Sequence, residues 1–352
     1  MSVIALLPGD GIGREVLDGP VAYLSHLAKN GAPVTLVGPL AYGSSGWQET
    51  GSTLPSATVE ACRTADVILS GAVGSHPGVS PTECPQPEEA LVRLRHMFDL
   101  RISVRTVWTP DGADVTIVRN ITGGAYVAAE DRVESDGVAP ASDRMVLRPD
   151  RVREVLALAA TYAQADSGRR RLSVDKASLF ATSRLWRRLA QEASARGPVS
   201  FENVNVDRAA FELVAYEELP EVIATEGIFG DILSDVLGAR AGSPALCGSA
   251  TINPDRPPHA PSGLFEPAHG SSPHRTGSRR SNPTGAWLAL ASLFDWCPDS
   301  GGLGERVRAA LRDVYAEGLR TYDMAGQPGT VQVTLDEFNE RVLALLIGDT
   351  TP

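Results

Sequence analysis

The first hundred residues alternate between strand-like and helix-like apolar patterns, and this rhythm limits the fold more than any other feature. Val3 to Leu7 is a short apolar run that ends at the turn Pro8-Gly9-Asp10-Gly11. Gly13 to Leu27 carries helical spacing, Val34 to Val37 reads as a strand, Ala61 to Ala65 ends a helix, and Val67-Ile68-Leu69 is a buried strand closed by Gly71. Parallel neighbours cannot be joined by a tight turn, so each crossover needs a helix. The alternation therefore predicts an α/β chain with a largely parallel sheet and helices on both faces.

Further along, Ser75 to Pro87 is rich in Pro, Ser and Gly and reads as a loop, and Glu88 to Phe98 reads as a helix. Residues 131–150 are turn-rich without long periodicity, which suits an arm or hairpin that packs on another subunit. Pro149 to Ala165 has helical spacing; Leu172 to Val174 is a strand, followed by a helix through Arg184 to Arg188. Residues 253–262 form a loop, Pro283 to Leu293 is an apolar helix, and Gly301 to Leu346 is mostly helical with a break at 326–331. No internal repeat or low-complexity linker appears, so two domains, if present, are intimately joined.

Composition narrows the partners. The net charge of −11, from 32 basic and 43 acidic residues, argues against nucleic acid or an anionic membrane as partner. No apolar run approaches the roughly 20 residues of a membrane span. The start lacks a basic region and a small-residue cleavage site, so it reads as a strand rather than a signal peptide. Cys62, Cys84, Cys247 and Cys297 are widely spaced, which suits reduced thiols in a cytoplasmic protein and gives no zinc-ligand pattern.

Four segments carry the chemistry. In Gly230-Asp-Ile-Leu-Ser-Asp235, Asp231 and Asp235 are four apart and share one helix face. Two such carboxylates repel unless a cation lies between them, and hard oxygen donors suit Mg²⁺ or Mn²⁺. An ordinary helix start would also favour an acid there, but Asp207 in Val206-Asp207-Arg208 offers a third donor and tips the balance to a metal. Lys176, beside Asp175 and after a buried strand, becomes a base if desolvation and a nearby metal lower its pKa. Tyr126 follows Gly123-Gly124, where backbone and substrate can come close, and can donate a proton to a carbanionic carbon. Arg95, Arg105 and Arg119 form an anion clamp, because guanidinium matches carboxylate geometry; Arg93 and Arg101 read as surface charges.

Gly9-Asp10-Gly11-Ile12-Gly13 has the spacing G-x-G-x-G, lacks the third glycine of a dinucleotide fingerprint, and is not a Rossmann site. Glu266-Pro-Ala-His269-Gly270-Ser271, with His274, Arg275 and Gly277 following, is the better nucleotide loop, its glycines, hydroxyls and cations able to cradle phosphates.

Together these segments resemble the β-decarboxylating dehydrogenase family of isopropylmalate, isocitrate, homoisocitrate and tartrate/D-malate enzymes. The likeness extends from Leu7-Pro-Gly-Asp-Gly-Ile-Gly13 through Gly71-Ala-Val-Gly74, Leu94-Arg95, Thr122 to Tyr126 and Val174 to Ala177 to Phe229-Gly-Asp-Ile-Leu-Ser-Asp235, Glu266 to Gly270 and Asn282-Pro283. The resemblance implies a two-domain isopropylmalate/isocitrate dehydrogenase-like fold that is not a Rossmann fold, with a mixed or parallel sheet. Residues 1–100 plus 241–352 would form the larger, cofactor-binding domain, and 101–240 the smaller one, with a dimer-forming arm at about 121–150. It further implies a homodimer whose partner supplies Lys176 and Asp207. Arg95, Arg105, Arg119 and Leu91 would face a small 2-hydroxy acid, Lys176 would take its hydroxyl proton, and Tyr126 would protonate C3. A divalent metal would sit on Asp207, Asp231 and Asp235, and the cofactor on Glu266, His269, Gly270, Ser271, His274, Arg275, Asn282 and Tyr322.

Departures from the family pattern matter. Ala90-Leu91-Val92 replaces the Gly-Leu-Leu of leucine-pathway enzymes, Glu89 and Leu91 stand where isocitrate enzymes use serine and asparagine, and Asn120 replaces an acid. These imply a 3-isopropylmalate-like malate whose C3 substituent can differ from isopropyl, with isocitrate-, homoisocitrate-, tartrate- and phosphonate-type substrates as alternatives. His274-Arg275, Arg279-Arg280 and Tyr322 replace an anion by cations, which favours NADP over NAD. A non-catalytic regulatory subunit is the reading from another class, and the intact lysine, tyrosine and aspartates oppose it.

Overall fold

The computed structural model describes residues 2–74, 86–109, 112, 114–126, 132, 133, 135, 137, 138, 140–163, 168–256, 260–298, 300–326 and 328–348. The chain divides into two compact units, Met1–Leu100 with Gly242–Pro352, and Arg101–Ala241. In chain order the strands are β1 (Ser2–Leu7), β2 (Val34–Val37), β3 (Val67–Ser70), β4 (Ile102–Val107), β5 (Val115–Asn120), β6 (Arg132–Val133), β7 (Ser142–Asp143), β8 (Arg171–Asp175), β9 (Glu202–Asn205), β10 (Val222–Glu226), β11 (Cys247–Ile252), β12 (Gly263–Pro267), β13 (Leu319–Arg320) and β14 (Val331–Gln332).

In the first unit the order is β2-β1-β3-β12-β11. The pairs β1–β2, β1–β3 and β3–β12 are parallel, and β11–β12 is antiparallel. β3 is buried along its whole length, as expected of a strand covered on both faces. The helix Thr284–Trp296 is apolar all round and buried without a break from Thr284 to Ala291, because it packs on β11, β12 and the helix Leu303–Ala316 at once. Gly248 allows this approach, since a Cβ there would stand 2.8 Å from Cβ of Leu288. Trp287 Nε1 donates to Asn339 Oδ1 at 2.8 Å and ties down the last helix, Leu335–Gly348. The expected break in the helical tail is wider than 326–331, because β13 and β14 pair with each other on either side of it.

The Gly9-Asp10-Gly11 turn is a structural knot. Gly9 has φ +73°, and a Cβ on it would stand 2.2 Å from the carbonyl oxygen of Ala72. Asp10 is fully buried and its carboxylate accepts the N–H groups of Ser44, Ser45 and Gly74 at 2.9, 2.9 and 3.1 Å. The N–H groups of Asp10, Ile12 and Gly13 are also taken, by the carbonyls of Ala72, Ser271 and Asp10. A phosphate cradle needs free N–H groups, so this glycine cluster is not one.

The second unit orders its strands β4-β5-β10-β8-β9, with β4–β5 antiparallel and the others parallel. Helices Pro149–Tyr162, Ala181–Arg196, Val206–Ala215 and Gly227–Ala241 flank it. Pro149 opens the first of these, where its missing N–H costs nothing. The last buries Gly230, Leu233, Ser234, Leu237 and Gly238, one stripe at three- and four-residue spacing. Arg101 corrects the surface reading. It is 2% exposed, with Nε and Nη2 donating to Glu154 at 2.8 and 3.3 Å, because the strand start lies under the helix Pro149–Tyr162.

The expected loop at 75–87 lies mostly outside the described residues, as do Cys84 and parts of the expected arm and of the 253–262 loop. Within the arm region, β6 and β7 pair antiparallel. Among the described residues no helix is long and apolar enough to cross a membrane.

Candidate active site

In the second unit, the antiparallel register sets Ser103 opposite Arg119, with Arg105 two residues on and therefore on the same sheet face. Both guanidiniums converge on Asp231, near the start of the helix Gly227–Ala241. Nη1 of Arg105 lies 2.9 Å from Asp231 Oδ1, and Nη1 of Arg119 lies 2.6 Å from it. Arg119 is 2% exposed; Nε donates to Ser103 Oγ at 3.1 Å and Nη1 to the carbonyl of Gly227 at 3.2 Å. Nη1 of Arg105 also donates to Ser234 Oγ at 2.8 Å. Burial pushes the Asp231 carboxyl upward, but the two guanidiniums outweigh it and hold it below the ordinary carboxylate range. Asp235 lies one turn further along and is exposed.

Tyr126 is exposed, with the Arg119 guanidinium carbon 6.0 Å from its ring centroid. Lys176 leaves the end of β8 and its Nζ donates to Asp207 Oδ1, in the first turn of the helix Val206–Ala215. That hydrogen bond holds the exposed Asp207 carboxyl below its ordinary value. The turn bearing Lys176 is anchored by Asp175, which is 1% exposed. Asp175 accepts from Ala177 N–H at 2.8 Å and from Arg187 Nε and Nη2 at 2.9 and 2.8 Å.

The unit thus presents two clusters. One joins Arg105, Arg119 and Asp231, with Tyr126 beside them; the other joins Lys176 and Asp207. Among the described residues of one chain, no three His, Cys, Asp or Glu side chains stand close enough to share a metal ion. Asp231 and Asp235 supply hard oxygen donors one helical turn apart, a set that fits Mg²⁺ or Mn²⁺ once a third donor joins them.

In the first unit, Arg95 follows Leu91 on the helix Glu89–Met97; Leu91 packs on the hydrophobic core, and Arg95 Nη2 donates to Glu266 Oε1 at 2.7 Å. A pocket of about 690 Å³ is lined by His269, Gly270, Arg275, Asn282 and Tyr322, together with Ile12, Gly242 to Ala245, Ser272, Ser281 and Asp323. The other three residues expected at the cofactor do not line it. Glu266 holds Arg95, Ser271 is buried with its carbonyl on Ile12 N–H, and His274 is exposed. Two polar atoms of lining residues, His269 Nε2 and Ser281 Oγ, are shut from solvent without partners, so the lining fits a polar ligand such as a dinucleotide. Arg275 and Arg280 place their guanidinium carbons 4.4 and 5.6 Å from the Tyr322 ring centroid. Arg279 is committed elsewhere, to Asp18 and Asp336.

Sequence reasoning missed Asp175 as anchor, and Glu226, which ends β10 only 4% exposed. An acid closing an apolar strand gives no sign of its burial.

Known proteins place the chain. Residues 3–342 match the isocitrate/isopropylmalate dehydrogenase family. The 3-isopropylmalate dehydrogenase of Geobacillus kaustophilus is 34% identical, over 97% of this chain and 95% of that protein. That of Oleidesulfovibrio alaskensis is 35% identical, over 93% and 95%. Among solved structures, isocitrate dehydrogenase from Methylococcus capsulatus superposes with a TM-score of 0.84 at 25% identity, over 98% of this chain and 99% of that one. A β-decarboxylating dehydrogenase from Thermococcus kodakarensis gives a TM-score of 0.77 at 26% identity, over 99% and 97%. The chain is an oxidoreductase and belongs to the isocitrate/isopropylmalate dehydrogenase family.

Proposed function

We propose that the chain oxidises a C3-substituted malate at its hydroxyl carbon and releases CO₂, leaving a 2-oxo acid, with a divalent metal and NADP. The observation that carries this reading is the convergence of Arg105 and Arg119 on Asp231. A substrate carboxylate takes over the two guanidiniums, which frees Asp231 to face a cation with Asp235 and with Asp207 of a second copy of this chain. When bound, the metal and the dinucleotide supply a Lewis acid at the substrate oxygens and a hydride acceptor. Arg105 and Arg119 hold the substrate carboxylate between them. Lys176 of the second copy, released from Asp207, accepts the hydroxyl proton at Nζ, and Tyr126 gives its phenolic proton to C3 after CO₂ departs.

The homodimer is supported by apolar side chains left in the open on two helices that pack together. Phe211 and Val214 are 62% and 69% exposed, three apart, and Ile228 and Ile232 are 39% and 54% exposed, four apart. Each pair forms an apolar stripe of the kind a partner subunit covers. Arg275 and Arg280 over Tyr322 favour a 2′-phosphate, hence NADP over NAD. The thiols of Cys62, Cys247 and Cys297 fit a cytoplasmic enzyme.

The test is turnover of malates bearing apolar, carboxylate or phosphonate groups at C3, with Mg²⁺ or Mn²⁺ and each dinucleotide. Reduced cofactor and trapped CO₂ should appear one for one on at least one substrate. Cofactor reduction without CO₂ would make the enzyme a simple hydroxy-acid dehydrogenase, and no turnover on any of these malates would refute the substrate class.

A further inference from the structure

Parallel pairing of β5 and β10 sets Asn120 beside Glu226, and the two are 1% and 4% exposed. Asn120 Oδ1 accepts the Thr122 N–H at 2.8 Å and its hydroxyl at 3.2 Å, which fixes the orientation of the amide. Nδ2 is thereby turned away from Thr122, and it is closed to solvent without a partner; so is Glu226 Oε2. A buried donor and a buried acceptor on neighbouring strands, each unmet, make a setting that an internal water fills.

The same carboxyl lies against the turn that carries Tyr126. A Cβ on Gly124, which has φ +66°, would stand 2.6 Å from Glu226 Oε2. The residue after β10, Gly227, which opens the next helix, seats the tyrosine ring itself. A Cβ on Gly227 would stand 2.2 and 2.4 Å from Cδ2 and Cε2 of Tyr126. Gly227 has no positive φ, so its bare Cα serves space rather than backbone freedom.

We propose that Glu226 is a positioning residue for Tyr126: with Asn120 Nδ2 it holds one buried water beneath the Gly123-Gly124 turn, and this unit sets where the tyrosine stands. The inference rests on the reading of Tyr126 as proton donor. The charged group that acts on Glu226 is Asp175 at the end of β8, paired with Arg187, and Tyr126 stands on the turn beside it; Arg119, one residue before Asn120, points to the other sheet face, where it pairs with Asp231. Burial, and then Asp175, raise the Glu226 carboxyl to about 7. A carboxylic acid can donate to the water as well as accept from it, whereas the carboxylate repels Asp175 and loosens the seat.

The test combines a high-resolution crystal structure of the unaltered enzyme with kinetics of Glu226→Gln, Glu226→Ala and Gly227→Ala across pH. A water within hydrogen-bond reach of both Nδ2 and Oε2 is expected, and a direct contact or an empty gap there overturns the proposal. Glu226→Ala and Gly227→Ala should each lower kcat about tenfold with KM nearly unchanged, since small misplacements of a reacting group cost rate before binding. Glu226→Gln should keep kcat within about threefold and lose whatever part of the pH profile Glu226 contributes. Gly227→Ala should cost nothing further in a Tyr126→Ala background, because the ring it displaces is gone. Full kcat in Glu226→Ala while Tyr126→Phe is impaired overturns this inference alone; full kcat in Tyr126→Phe removes the tyrosine role beneath it.

Discussion

Replacing Glu226 by Gln should stabilise the protein, and only above a certain pH. The carboxyl sits between β5, β8 and the Gly123-Gly124 turn, and burial followed by Asp175 lifts it from 4.5 to about 7. The folded chain then holds this proton more tightly than the unfolded one. Between those two values the native state binds more protons, so stability falls as pH rises through the interval and levels off above it. At roughly 1.4 kcal/mol for each factor of ten in acidity, the full loss is about 3 kcal/mol. Glutamine keeps the shape and has no proton to lose. Urea unfolding of both proteins, followed by tryptophan fluorescence, measures the difference at each pH and cancels every other titrating group. The gap should be near its smallest at about pH 4.5 and grow by about 3 kcal/mol in favour of the variant by about pH 8. A gap that stays constant over that range would refute the claim that this acid is buried and proton-bound.

Two other substitutions probe each unit separately. Arg101→Ala removes a buried guanidinium from under the helix Pro149–Tyr162 and should cost about 3 kcal/mol in thermal or urea unfolding, even though Glu154 keeps Arg151 as partner. Arg275→Asp puts an anion beside Tyr322 in the pocket and should lower kcat/KM for NADP at least about tenfold relative to NAD, in a side-by-side cofactor titration.

What could be read ahead of the structure follows from which interactions are local. The helix over 89–97 and the strands at 34–37 and 67–70 follow from apolar spacing within a few residues, and they form where expected. The four-residue spacing of Asp231 and Asp235 likewise needed only helical geometry. Arg101 was misread because the acid that retains it, Glu154, is 53 positions away. Asp175 escaped notice for a similar reason: Arg187 reaches it from the following helix, twelve residues on. Glu226 ends an apolar strand and looks like an exposed terminus, yet the neighbouring strands and a glycine turn close over it. The pairing of Asp231 with two arginines depends on three elements meeting, and no spacing in the chain announces it.

In the proposed mechanism one reaction centre draws Lys176 and Asp207 from one copy and Asp231 from another. Mixing Lys176→Ala and Asp231→Asn subunits tests it most directly. Each variant alone should be inactive. In a mixed dimer one centre carries both lesions and the other carries neither, so purified heterodimers should recover about half of the normal turnover. Heterodimers as inactive as either parent would mean that the lysine and the aspartate serve the same chain, and the shared site would be contradicted.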